Sequence, residues 1–190
     1  MLSIEEIEIL EDESKWEQAR EALLERYRTN PTDLQNVIRL GFLSWYVLVE
    51  WGCIQITEDM DTQIYQAILI EVTETGFNNF NENPDFLWCF GYMIFLFPYY
   101  FGEFKQWEQM GKEMTKKAYE KTKDPMLKMI YLGCDVKQDL KGYYDACNEA
   151  RPLAADRFSG NGVLNHYFAQ VLNRKNSKSF EEFENIYNKK

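Results

Sequence analysis

Residues 86–102 read FLWCFGYMIFLFPYYFG, seventeen positions in succession without a charge. Two folds could accommodate this run. A membrane-spanning helix needs about 20 predominantly apolar residues. The run is shorter than that, carries Pro98 near its end, and contains Tyr92, Tyr99 and Tyr100. A helix buried on all sides within a helical array has the same composition. The second reading is preferred, which makes residues 86–97 the buried centre of an all-α domain and predicts no membrane span.

Periodicity on either side agrees. Trp16, Ala19, Leu23 and Tyr27 form one helical stripe, with Ser14 as a candidate N-cap and Glu17 as its capping-box partner. Asn30-Pro31 closes that helix, because a residue preceding proline is pushed out of the α region. Asp33 opens a second helix through Val37, Leu40, Leu43 and Val47. Thr57 is expected to cap a third, with a stripe of Met60, Ile64, Ile68 and Val72, fading in the turn-rich segment Asn78–Pro84. Beyond the apolar helix, Trp107, Met110, Met114 and Ala118 mark another, stopped at Asp124-Pro125. Leu127, Ile130 and Cys134 begin the next, with a break near Gly142. Residues 143–156 read as helical, with Pro152 a kink or an end. Ser159-Gly160-Asn161-Gly162 is a loop, followed by a wide apolar face from Val163 to Leu172, and residues 179–190 read as a last short helix. About nine helices result, joined by links that are not rich in Pro, Gly or Ser. Short links make neighbours antiparallel. The expected architecture is a single domain over residues 1–190, built of stacked antiparallel helical hairpins or an irregular helical bundle.

The chain also echoes itself. Lys15-Trp16-Glu17-Gln18 returns as Gln106-Trp107-Glu108-Gln109. Each copy leads a helix that stops at an Asx-Pro pair, and each is followed by a helix containing Leu-Gly, at Leu40-Gly41 and Leu132-Gly133. Pro84 likewise precedes a helix with Gly91 at its middle. Glycine inside a helix costs roughly 1 kcal/mol relative to alanine, so it marks close packing. The arrangement resembles tetratricopeptide-type repeats, which pair a Leu-Gly on one helix with a proline ending the next. Its proline spacing of 53 and then 41 residues departs from that family's regular 34. The resemblance implies an α-α array and carries over no binding residue.

Composition sets limits on function. The chain of 190 residues carries 31 Asp plus Glu against 21 Lys plus Arg, a net charge of −10. The excess is localised: residues 1–100 hold 18 acids and 5 bases, net −13, whereas residues 101–190 hold 13 acids and 16 bases, net +3. Nucleic acid is excluded as a partner, since phosphate binding requires clustered Lys and Arg. An acidic half favours a basic protein and accelerates its arrival. The candidate partner-binding residues are Glu50, Glu58, Asp59, Asp61, Glu71 and Glu74. A further cluster, Glu5, Glu6, Glu8, Glu11, Asp12 and Glu13, is interleaved with Ile4, Ile7, Ile9 and Leu10, and reads as an amphipathic helix or arm docked on the body.

No motif names a reaction. His166, the single histidine, lies beside an apolar stripe without a nucleophile or carboxylate at motif spacing. Zinc ligands and Glu-x-x-His pairs are missing. Asp59-Met60-Asp61 begins like a calcium loop but lacks its glycine, and Gly160–Asn165 lacks the third glycine and preceding strand of a phosphate-binding loop. No cofactor, metal or catalytic residue is expected. Cys53, Cys89, Cys134 and Cys147 form no C-x-x-C pair, and the N-terminus has no cationic leader, which points to a reducing cytoplasmic setting.

A small, acidic, single-domain chain without catalytic motifs is similar in profile to bacterial immunity proteins. That resemblance implies a protein-binding inhibitor that masks a cognate toxin, often a basic nuclease. The alternative is a helical-repeat adaptor or chaperone holding a peptide segment in a groove.

Overall fold

The uncharged run is a helix. In the computed structural model, which describes residues 1–57, 60–172 and 179–188, it forms α5 (Pro84–Leu96), followed by a 3-10 turn at Pro98–Tyr100. Asn83 caps it by accepting the Asp85 and Phe86 N–H groups, and Pro84 supplies the preset φ of the first turn. Thirteen residues make a helix of about 20 Å, well short of a hydrocarbon layer of about 30 Å. Among the described residues, no helix is long and apolar enough to cross a membrane. Phe86, Cys89, Phe90, Met93 and Ile94 are fully buried, because protein surrounds α5 on nearly every side.

The chain is all helical among the described residues. α1 (Ile4–Asp12), α2 (Trp16–Thr29), α3 (Leu34–Val49) and α4 (Thr62–Phe80) precede α5, and α6 (Phe104–Thr122), α7 (Pro125–Gly133), α8 (Leu140–Arg157), α9 (Gly162–Leu172) and α10 (Phe180–Asn188) follow it. Side-chain register shows the directions. Arg26 of α2 bonds Asn36 of α3, and Trp16 meets Tyr46 at the other end, so these two helices are antiparallel. Glu17 pairs with Tyr65 and Tyr27 with Thr75, so α2 and α4 run parallel. One hydrophobic cluster extends from Ile7 to Leu172.

Two of the three helical glycines singled out from sequence sit at tight crossings. A Cβ on Gly41 would fall 2.5 Å from the Phe90 ring, where α3 crosses α5. A Cβ on Gly91 would fall 2.9 Å from Met114 and 3.0 Å from the Thr115 nitrogen. Gly111 is as tight, its Cβ position lying 2.5 Å from the Phe95 nitrogen, so α5 and α6 are antiparallel with their backbones in near contact. Gly133 differs: a Cβ there would meet only Tyr143, at 3.4 Å.

Several boundaries depart from the sequence reading. Ser14 is not an N-cap. It occupies a left-handed turn at φ 59°, Lys15 takes the cap position without a side-chain bond, and Glu17 is engaged by Arg20 and Tyr65 instead. The cap of α4 is Asp61, four residues after Thr57, and its buried stripe is Tyr65, Ile68, Leu69, Val72 and Gly76, leaving Ile64 exposed. The break before α8 falls at 134–139, because Asp139 caps the helix and Gly142 lies in its first turn. Pro152 is carried inside a continuous α8.

Candidate functional site

The chain does not extend in one direction as a simple stack. α9 returns to pack on both α1 and α3. The junction is polar at its centre. α1 has the expected amphipathic pattern, and its Ser3–Glu6 capping box is complete. Yet the face it docks combines Ile7 with Glu8 and Glu11, which are 8% and 3% exposed, whereas Ile9 points to solvent.

Each buried acid has a partner distant in sequence. Glu8 forms an ion pair with Arg39 of α3 and accepts a bond from Asn165 of α9. Glu11 accepts the Val163 N–H at 2.8 Å, and Asp12 accepts the Gly162 N–H at 3.2 Å. These two N–H groups begin α9, where carboxylates complement the positive end of the helix dipole. Gly162 is required there: its φ is 83°, and a Cβ would strike Glu8 and Glu11 at 2.7 Å. Burial pushes the Glu11 carboxyl up to about 7. The Val163 bond and the Arg39 charge oppose that rise, and the Glu8 and Asp12 charges add to it.

Beside this junction lies a groove of about 1130 Å³, walled by α1, the C-terminal end of α3 with the segment that follows it, and α9. That exceeds the roughly 300–1,000 Å³ of an ordinary small-molecule cleft. Glu11, Asp12 and Glu50 supply its carboxylates, and Trp16, Tyr46 and Tyr167 its rings. Tyr46 and Tyr167 stand edge to face at 6.2 Å, and Trp16 lies 5.9 Å from Tyr46. His166 Nδ1 stands 3.4 Å from Asp12 Oδ1 on the rim. Among the described residues, no Lys or Arg lines the groove.

Of the six acids proposed from sequence, the four among the described residues do not form one cluster. Glu50 is the C-cap of α3 and lines the groove. Asp61 is exposed and engaged as the cap of α4, with its carboxylate on the Gln63 N–H at 2.8 Å. Glu71 and Glu74 are exposed on α4 near the far end of α2, where Glu71 raises the pKa of Tyr27 after the larger effect of burial. Eleven steps of helical rise from Trp16 to Tyr27 place that end about 16 Å from the groove. Glu58 and Asp59 lie outside the described residues. Sequence reading passed over Asp12, Tyr46, Tyr167 and Gln170 as binding residues, since they come from three segments and their common signal is only polar or aromatic character at helix ends.

Chemistry that would require a metal finds no cluster: among the described residues, no three His, Cys, Asp or Glu side chains are grouped to hold an ion. Cys89 and Cys147 are buried, Cys134 is half-buried, and Cys53 is exposed on the groove wall. Comparison of the chain with protein-family models, with curated proteins and with solved structures found no match.

Proposed function

We propose that this chain is a non-enzymatic, cytoplasmic protein-binding inhibitor of the immunity type, which masks a basic partner, such as a toxin domain with nuclease activity, through the acidic surface of its first hundred residues. The observation that carries the reading is the groove: the Asp12 and Glu50 carboxylates and three aromatic rings line it, and no Lys or Arg among the described residues does. Tyr and Trp are the side chains that most often anchor interfaces, and complementary charge raises association rate. The −13 charge of residues 1–100 provides the long-range field. Glu50 in the groove and Glu71 and Glu74 on α4 are the contacts this reading assigns.

A helical-repeat adaptor of tetratricopeptide type, holding a client peptide, draws on the same groove volume. The two readings separate by capture. A photo-cross-linking residue is placed at Gln170, in the groove, and separately at Glu74, on α4, and the products are identified by mass spectrometry. One folded protein of high isoelectric point, recovered from either site, supports the inhibitor. Many unstructured clients support the adaptor instead. Acidic partners, or no partner at either site, overturn the charge argument for both.

A further inference from the structure

A second cavity, of about 420 Å³, lies between α5, α7, α8, α9 and α10. It shares Tyr167 and Val171 with the acidic groove, but its chemistry is the opposite. Among the described residues, no charged side chain lines it, and its walls are aliphatic, aromatic and thiol groups, Phe95, Met129 and Phe183 among them. Its size falls within the roughly 300–1,000 Å³ of an ordinary small-molecule site. A hollow this large exceeds the occasional void that close packing leaves. Leu96 and Ile186 carry the apolar lining out to solvent, at 38% and 52% exposed.

Gly133 gives an independent indication that the space is kept open. Glycine at a helical position is unfavourable relative to alanine. At Gly41 and Gly91 a helix crossing accounts for it, and at Gly162 a left-handed backbone does. Neither applies to Gly133, where a Cβ would meet only Tyr143, at 3.4 Å, and φ is not positive. Gly133 forms part of the cavity wall, so a side chain there would fill the hollow. The charge beside the mouth is positive. Lys112 of α6 stands just outside the lining, with its Nζ 5.6 Å from the centre of the Phe95 ring. The carboxylate paired with it, Glu108, is 4.0 Å away, the outer limit of an ion pair. The Lys112 charge also reaches Cys134, on the cavity wall. Burial pushes that thiol up to about 11, the Thr115 hydroxyl and Lys112 oppose the rise, and Asp135 adds to it, so the thiol is neutral at pH 7. Residues 101–190, which supply α6 to α10, carry a net +3.

We propose that this cavity holds the tail of a medium-chain fatty carboxylate, with the carboxylate at the mouth on the Lys112 ammonium. The uncharged walls favour a tail, since every methylene taken from water into them adds affinity. A compact polar metabolite would leave its hydrogen-bonding groups against apolar walls without partners. A cationic amphiphile would meet Lys112 as a like charge, and a neutral one would gain nothing from it. The proposal is independent of the acidic-surface reading, because it uses another site and the basic half of the chain.

The test uses the full chain, labelled with carbon-13 at its methionine methyl groups. The Met129 peak is assigned by its loss in Met129→Leu. Three probes with the same tail are titrated at neutral pH, each below its micelle concentration: decanoate, 1-decanol and decyltrimethylammonium. Decanoate is expected to shift the Met129 peak saturably and to leave that of Met60, which precedes α4, in place. The alcohol and the cation are expected to bind at least about fivefold more weakly. Lys112→Met keeps the aliphatic stem, and is expected to weaken decanoate about fivefold or more while leaving the alcohol unchanged. Gly133→Leu, with Tm checked, is expected to abolish the decanoate shift by filling the cavity. Absence of a saturable shift overturns the proposal. Equal or tighter binding of the alcohol or the cation overturns it in favour of a neutral or cationic ligand, and so does a decanoate affinity indifferent to Lys112→Met. Decanoate binding that survives in a folded Gly133→Leu chain puts the tail elsewhere and overturns it as well. Should Gly133→Leu lower Tm, the probe series and Lys112→Met decide.

Discussion

Replacing Glu11 by glutamine should make the protein more stable at pH 8 and leave it nearly unchanged near pH 4.5. Glu11 is buried between α1 and α9, and burial raises its carboxyl from 4.5 to about 7. The folded chain therefore holds a proton over an interval in which the unfolded chain releases it. The stability this proton contributes is fully present below 4.5 and is lost as pH rises through 7. From 4.5 to about 7 the interval corresponds to roughly 3 kcal/mol, at about 1.4 kcal/mol for each tenfold step in proton affinity. Glutamine has nearly the same shape, stays neutral, and can accept the Val163 N–H through its amide oxygen. Glu11→Gln is thus expected to gain about 2–3 kcal/mol over the native chain at pH 8. For a domain of this size each kcal/mol moves Tm by about 2–4 °C, so the gain should be about 4–12 °C. Thermal and urea unfolding of both chains at pH 5, 6, 7 and 8 measures the difference, in which other titrating groups largely cancel. A difference independent of pH would refute the reasoning. So would a loss that grows towards pH 8, since it would mean that Glu11 is ionised and held by Arg39 and the start of α9.

Other perturbations test the packing. Arg39→Met removes the cation that neutralises Glu8, which is 8% exposed, and should cost about 3–5 kcal/mol; the double change with Glu8→Gln should recover most of that in urea unfolding. Gly111→Ala places a Cβ 2.5 Å from the Phe95 backbone nitrogen, so α5 and α6 must separate, at about 1–3 kcal/mol or more. Gly52→Ala meets nothing within 4 Å and serves as the contrasting control, expected to be neutral or to stabilise by up to about 1 kcal/mol.

The helices were legible wherever local chemistry decides them. Asp33, Asn83 and Asp124 each precede a helix and cap it, because a short side-chain oxygen followed by free N–H groups is a local arrangement. Gly41 and Gly91 announced their crossings, since a helix tolerates glycine at such a cost mainly for close approach. Ser14 and Thr57 misled for the same reason in reverse. Each has the chemistry of a cap, but Ser14 sits in a left-handed turn and Asp61, closer to the start of α4, takes the cap with its own carboxylate. The groove was the least legible part. Of the four named acids that lie among the described residues, Glu50 alone lines it. The N-terminal acids read as part of an amphipathic helix or arm docked on the body, but the pattern did not show that Glu8 and Glu11 are themselves buried, against partners 31 and 152 residues away. Periodicity counts apolar side chains and has no means of pairing a carboxylate with a helix start so distant in sequence.

The central claim is that the acidic half of this chain steers and holds a basic protein. It is tested most directly by the association rate with the protein captured at Gln170 or Glu74, measured by stopped flow between 50 and 500 mM salt. Screening lengths shrink from about 14 Å to about 4 Å over that range. The account predicts an association rate that falls at least about tenfold, with a much smaller change in the dissociation rate. An association rate unchanged by salt would contradict it.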